Sequence, residues 1–387
     1  MPLLPALRRR ARTPHPAPAP PVALPPPPVV QRLPRAVVVL LGVALAMAVL
    51  LGMNQLRDYI APLFLALNLV LVAAPLQSAL TRAGLPRWLG ALVAGTSVFA
   101  FLVGFFYALG WSVTQMVQEL PGYQQEFEDL YRQGLDVLAR FGIDEDAMLE
   151  RVTAALNPEA IIGALGGVLG NVGGALGLLG TTLIIIFFLM VDSLTAGRRI
   201  ALVGEQHPRL AQALVSFADG VRRYWVVTTV FGLIVAVLDV VALVVLGVPL
   251  ALAWGVLAFI TNYIPNVGFV IGLVPPALMA LLANGPMNAL VVVIVYTVLN
   301  FVVQTIIQPK FTGDAVGVGP TVTFLSLVVW AWVLGPVGAL LALPATLLVK
   351  ALLVDADPQA RWANAFLAAD PETARAESTR DAVLQNP

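Results

Sequence analysis

Among the apolar runs that make up most of this chain, a few polar residues stand where chemistry in a nonpolar medium would need them. Asp239 lies near the middle of the run Tyr224 to Val248. Apart from the terminal Lys350, it is the only charged residue well inside a span of that region. An acid at the bilayer centre costs about 2.5 to 3.5 kcal/mol on insertion scales, which makes it a functional candidate by default. Two readings fit: a proton-coupling carboxylate, or a neutral, hydrogen-bonded Asp that fixes helix packing. Neutral amides form a second group. Asn300, Gln304 and Gln308 step by four and share one helix face. Asn262 and Asn266 fall with Pro265 and Gly268 in a break between apolar segments. Amides at membrane depth suit a polar, uncharged solute, or a dehydrated cation held at broken-helix carbonyls. They also suit plain interhelical hydrogen bonds.

Enzyme chemistry finds little support. The histidines are His15 and His207, there is no cysteine, and no Gly-Lys-Ser/Thr phosphate loop occurs. No catalytic residue, metal site or cofactor is expected, and nothing points to nucleic acid. Without cysteine there is no disulfide and no thiolate metal site.

The elements that must position these residues are membrane helices. A chain of 387 residues that is 59% hydrophobic and 11% charged, with several apolar runs longer than about 18 residues, has the bilayer as its solvent. In lipid every backbone polar group must be bonded within the protein, and long uninterrupted runs achieve this only as helices. The fold class is therefore all-α, a polytopic integral membrane protein with about eight membrane segments. Three are Ala36 to Met53, Tyr59 to Leu80 and Trp88 to Trp111, and a fourth occupies residues 168–191.

The region 224–354 contains one unit twice. An unbroken run (Tyr224 to Val248, then Met287 to Gln308) precedes an apolar segment interrupted at its middle (Leu250 to Asn284, then Pro320 to Val354). The first interruption is Asn262 to Gly268 and the second is Gly335-Pro336-Val337-Gly338. Leu250 to Thr261 would reach only roughly 18 Å as a helix, short of a full crossing. Both broken segments are read as re-entrant helical hairpins, with Pro265, Gly268, Pro336 and Gly338 at their tips. Gly/Pro-broken segments in matching positions are the sequence pointer to a transporter's binding site.

These residues also carry a resemblance. Asn262-Tyr-Ile-Pro-Asn-Val-Gly268 through Pro276 is similar to the "IPxxG…P" pattern of the autoinducer-2 exporter family. So are Asn300-Phe-Val-Val-Gln-Thr-Ile-Ile-Gln-Pro309 with Gly313, Gly317 and Pro320, and Leu334-Gly-Pro-Val-Gly338 through Pro344. The layout matches from roughly Val37 to Val354, with the specific motifs only after Asn262. Where many relatives carry Gln-Gln-hydrophobic-Glu, this chain has Val303-Gln-Thr-Ile-Ile-Gln308 and no acid. The resemblance implies a transport protein of the bacterial inner membrane.

The remaining segments follow from composition. Met1 to Pro34 carries Arg8, Arg9, Arg10 and Arg12 with a proline-rich run instead of a signal-peptide core. It reads as a disordered cytosolic tail (domain 1–35), either a simple leader or a docking strand for a proline-binding module. Asn68, inside the second span, is expected to bond a neighbouring helix. In 112–167 the acids from Glu119 to Glu159 outnumber Arg132, Arg140 and Arg151, giving a small external helical domain with a solvated acidic face. Gly163, Gly166, Gly170, Gly173, Gly177 and Gly180 step by three and four, a small-residue face for packing within one protomer or between subunits of a homo-oligomer. Residues 192–223 read as cytosolic interfacial helices and 355–387 as a cytosolic tail.

Of the 22 Lys and Arg residues, only Arg57, Arg132, Arg140 and Arg151 fall outside when the N-terminus is placed in the cytosol. Both termini are then cytosolic, and each broken segment must return to its own side, which makes 224–354 an inverted-repeat transport core. Three functions are compatible: a secondary carrier exporting a small polar solute or signal, a cation/proton antiporter using Asp239, and a non-transporting scaffold or channel.

Overall fold

Backbone self-satisfaction shapes this chain, and its described residues form helices joined by turns. A computed structural model describes residues 34–123, 172–265, 267–308 and 318–369, with 125, 126, 129 and 132. The helices are α1 (Arg35–Gln55), α2 (Arg57–Arg82), α3 (Arg87–Glu119), α4 (Val172–Gln206) and α5 (Pro208–Val245). Then come α6 (Ala251–Thr261), α7 (Gly268–Asn284) and α8 (Pro286–Asn300), which runs into a π-helical stretch, Phe301–Ile307. Next are α9 (Pro320–Leu334), α10 (Pro336–Leu340) and α11 (Ala342–Lys350), which ends in a second π-helical turn, Ala351–Asp355, before the short α12 (Asn364–Leu367). The proline-rich tail, most of 112–167, Gly163, Gly166, Gly170 and Asn266 lie outside the described residues.

Among the described residues, six helices are long and apolar enough to cross a membrane: Ala36–Gln55, Arg57–Arg82, Arg87–Tyr123, Gly177–Gln206, Pro208–Val245 and Pro286–Ile307. Helices α6, α7 and α9 are apolar but shorter. The chain is an all-helical polytopic membrane protein. Helix α5 shows why lipid is its solvent: Val226, Val230, Leu233, Val237, Val241 and Val244 form an exposed apolar stripe along one side. Thr228, Gly232, Val235 and Asp239 form the buried side.

Several helices run beyond the expected boundaries. Helix α3 continues past Trp111 to Glu119. Residues 192–223 are the ends of α4 and α5, which meet at His207, where Pro208 starts the next helix. Proline suits a helix's first turn because its missing N–H has no partner there anyway, and nothing between Asp192 and Gln206 forbids helix.

The chain divides into two units, Met1–Ala48, which holds most of α1, and Val49–Pro387. In the second unit one buried cluster gathers Phe64, Leu69, Trp225, Tyr263, Trp330 and Leu341, from α2, α5, the α6–α7 turn and the α9–α11 group. Asn68 Nδ2 donates to Phe64 O at 2.7 Å, and its Oδ1 accepts the Trp225 indole at 3.2 Å. Asn68 thus bonds a neighbouring helix, as its position predicts. A second cluster holds Trp254, Met279, Val292 and Tyr296.

Each broken segment is a pair of helices packed side by side across a tight turn. A Cβ at Gly268 would overlap the Thr261 carbonyl, and one at Gly338 would overlap the Trp330 carbonyl. The absence of a side chain is what closes both turns. Gly335, with φ of 70°, also needs glycine's freedom. Ser326 Oγ donates to Ala342 O at 2.8 Å and also bonds Thr346, while the Trp330 indole donates to Thr346 Oγ1 at 3.0 Å. The α9–α11 pair is therefore fastened to itself.

Candidate functional site

Helix α5 turns one face toward α6 and α8. Gly232 on that face has no side chain because the Asn262 side chain occupies the space a Cβ would take. Asn262 Nδ2 donates to Thr228 O of α5 at 3.1 Å. Its Oδ1 accepts Gln304 Nε2 at 2.9 Å, and Gln304 Nε2 also donates to Asn300 Oδ1 at 2.7 Å. Asn300 Nδ2 closes the chain on Tyr296 O at 2.9 Å. One amide relay therefore links α5, the C-terminal end of α6 and the α8–π helix. Both carbonyl oxygens inside it serve as acceptors for Gln304, so this residue is its hub.

Beside the relay is a small cavity lined by Asp239, Thr261, Asn262, Tyr296, Asn300 and Gln304, with Val235, Ala258, Phe269 and Gly272. Its volume of about 10 Å³ is close to the minimum for one water molecule. Asp239 is fully buried, and neither carboxyl oxygen has a hydrogen-bond partner among the described residues. The Tyr296 hydroxyl is likewise buried without one. Lys350, the other charged residue noted in this region, is paired with Asp355 at 2.9 Å. An acid and a phenol without partners among the described residues and three amides thus surround one small space.

The structure thus brings together Asp239, Asn262, Asn300 and Gln304. Gln308 is half-buried and does not line the cavity. It sits just past the π-helical stretch, where its N–H reaches back to Val303 O, five residues earlier, so the strict four-residue step is broken before it. Pro265 and Gly268 form the α6–α7 turn next to Asn262, outside the lining. Pro336, exposed, and Gly338, buried, form the other turn, also outside it. Carbonyls near the turns already have donors. Tyr224 OH donates to Tyr263 O at 3.2 Å, and Asn54 Nδ2 donates to Trp332 O at 2.8 Å.

Of the glycine face, Gly173, Gly177 and Gly180 fall within α4. Gly177 and Gly180 are exposed, and a Cβ at either would meet nothing within 4 Å among the described residues. Tyr296 and Thr261 are site residues that polarity alone did not single out. Tyr296 stands one step of four before Asn300, so the spacing of the amide face contains it.

The AI-2E family transporter profile matches residues 37–356. The chain belongs to the AI-2E family of transporters. It is 29% identical over 317 residues to the AI-2 transport protein TqsA of Escherichia coli K12, covering 82% of this chain and 91% of that protein. It is 31% identical over 323 residues to the putative transport protein YhhT of the same strain, covering 81% and 89%. A putative transport protein of Haemophilus influenzae is 28% identical over 331 residues, covering 84% and 94%. This is a family of bacterial membrane transporters and not of enzymes, and the match spans every residue of the cavity.

Proposed function

We propose that this chain is a secondary carrier that exports a small polar solute past the Asn262–Gln304–Asn300 relay. The observation that carries the proposal is the cavity itself: polar groups from three elements converge beside a broken helix inside an apolar fold. At about 10 Å³ the space is closed to anything larger than water. Passage of a solute then requires the α6–α7 pair to separate from α8, breaking the Gln304–Asn262 bond. Such a bond is worth only about 0.6 kcal/mol on average in a membrane protein, so the relay can open and close cheaply. The two helix pairs act as re-entrant hairpins of an inverted repeat, with both termini cytosolic, and the carrier works as a homo-oligomer.

The first solute to test is AI-2, named in the relative TqsA. Cells expressing the wild type should accumulate the exported solute in the medium, and cells expressing Gln304→Leu should not. Undiminished export by a stably folded Gln304→Leu protein would move the path elsewhere.

A second reading, cation/proton exchange through Asp239, is favoured by one observation: both of its carboxyl oxygens are buried and without a hydrogen-bond partner among the described residues. A proton or a small cation would satisfy them, and the cavity has room for little else. In vesicles, flux that varies with pH in the wild type and loses that variation in Asp239→Asn supports coupling. Identical pH profiles reduce Asp239 to a packing residue.

A further inference from the structure

A second, much larger cleft opens between α2 and α4, away from the relay. Its volume is about 680 Å³, in the range of sites that hold whole ligands. Residues of α2 line it at helical steps: Leu67, Val70 and Leu71, then Ala74, then Gln77 and Ser78, then Thr81 and Arg82. Along this one face the chemistry changes from aliphatic through small and amide-bearing to basic. The opposite wall runs along α4 from Leu189 through Asp192, Ser193, Leu194 and Ala196 to Arg199, and Arg87 at the start of α3 completes the mouth.

The gradient coincides with a membrane boundary. The turn between α2 and α3 separates two spans, so Arg82 and Arg87 mark the level where α2 leaves the apolar layer. Helix α4 has 35 residues, more than the roughly 20 needed to cross, and Asp192 is where its charges begin. The cleft therefore has an apolar end at bilayer depth and a basic end at headgroup level. Its only acid, Asp192, is engaged by Arg199 at 3.0 Å. Arg82 donates to its own helix at Ser78 O, and neither it nor Arg87 has an acidic partner among the described residues. The two walls approach where Ser193 Oγ lies 3.2 Å from Gln77 Oε1, while the Ser193 hydroxyl donates to Met190 O of its own helix at 2.6 Å.

We infer that this cleft is a binding site for an anionic phospholipid, the phosphate held by Arg82 and Arg87 and one acyl chain lying along Leu67, Val70 and Leu189. Charge complementarity selects the occupant. Two uncompensated guanidiniums call for an anion, and guanidinium forks match phosphate oxygens in geometry as well as charge. The apolar floor calls for a hydrocarbon tail attached to that anion. A free phosphate satisfies the mouth and leaves the floor empty; a zwitterionic lipid fills the floor and brings its own cation to the mouth.

The test is native mass spectrometry of the intact protein, delipidated in detergent and then offered dioleoyl-phosphatidylglycerol, dioleoyl-phosphatidylcholine or inorganic phosphate. The wild type should retain phosphatidylglycerol at least about tenfold better than phosphatidylcholine, and inorganic phosphate should neither bind nor displace it. The double variant Arg82→Gln, Arg87→Gln should lose that preference. A second variant, Ala74→Phe, obstructs the floor without touching the arginines and should weaken phosphatidylglycerol retention while leaving the protein monodisperse. Equal retention of the two lipids by the wild type would overturn the assignment, as would unchanged preference in the arginine variant. Binding of phosphate alone would make the mouth a simple anion site.

Discussion

Gln304 is the residue on which the relay turns, because a single amide nitrogen bonds both Asn262 and Asn300. Replacing it by Leu removes two weak bonds and leaves an apolar side chain in an apolar medium. The expected stability loss is about 1 kcal/mol, visible as a small shift in thermal unfolding in detergent, while export is abolished. The turn glycines behave oppositely. Gly268→Ala and Gly338→Ala each drive a methyl group into a backbone carbonyl that has no room to yield. Overpacking of this kind costs about 1 to 3 kcal/mol, so both variants should unfold at clearly lower temperature. A thermal midpoint equal to the wild type's would mean the turns relax freely. At this scale the sequence was legible wherever a polar or helix-breaking residue interrupts an apolar run, as Asp239, Asn262 and Gln304 do. Tyr296 was legible only through its step of four before Asn300, and its buried hydroxyl at the cavity shows only in the structure.

Among the elements, the contrast between the two helix pairs is the informative one. The α9–α11 pair spends its polar side chains on itself, through Ser326, Trp330 and Thr346. The α6–α7 pair reaches outward through Asn262 to α5 and the π-helical stretch. If both are re-entrant from opposite sides, cysteines at Val267 and at Pro336 should react with an impermeant thiol reagent from opposite faces of the membrane. Labelling of both from one face would remove the inverted repeat. The pairs themselves were foreseeable from Gly335-Pro336 and from Pro265 with Gly268, where proline and glycine fall together in the middle of an apolar segment, whereas the lone Pro62 and Pro75 stay inside α2. The π-helical widening at Phe301–Ile307 was not, since the sequence there reads as uninterrupted helix. It is the reason Gln308 parts from the face it shares on paper with Gln304.

For the whole molecule, the glycine face of α4 poses the question of partners. A Cβ at Gly177 or Gly180 would meet nothing within 4 Å among the described residues, so this end of the face leaves room for close approach by another helix, as small residues permit in lipid. Gly180→Leu should then leave the protomer folded and lower the oligomer size measured by light scattering in detergent. An unchanged size would assign the face to lipid. The all-helical, polytopic membrane fold was written in composition and run length, because lipid leaves the backbone no alternative. Helix periodicity shows which residues share a face but never names the surface opposite. Neither the partner of the glycine face nor the placing of the Gly335 turn outside the cavity was therefore legible.

The central claim is that solute passes where Asn262, Gln304 and Asn300 meet beside Asp239. Its most direct test is export by the double variant Asn300→Leu, Gln304→Leu, measured as solute appearing in the medium, alongside its expression level and its elution profile in detergent. A correctly folded double variant with export reduced to that of cells lacking the protein is the predicted result. Export at the wild-type rate from an equally well folded double variant would contradict it.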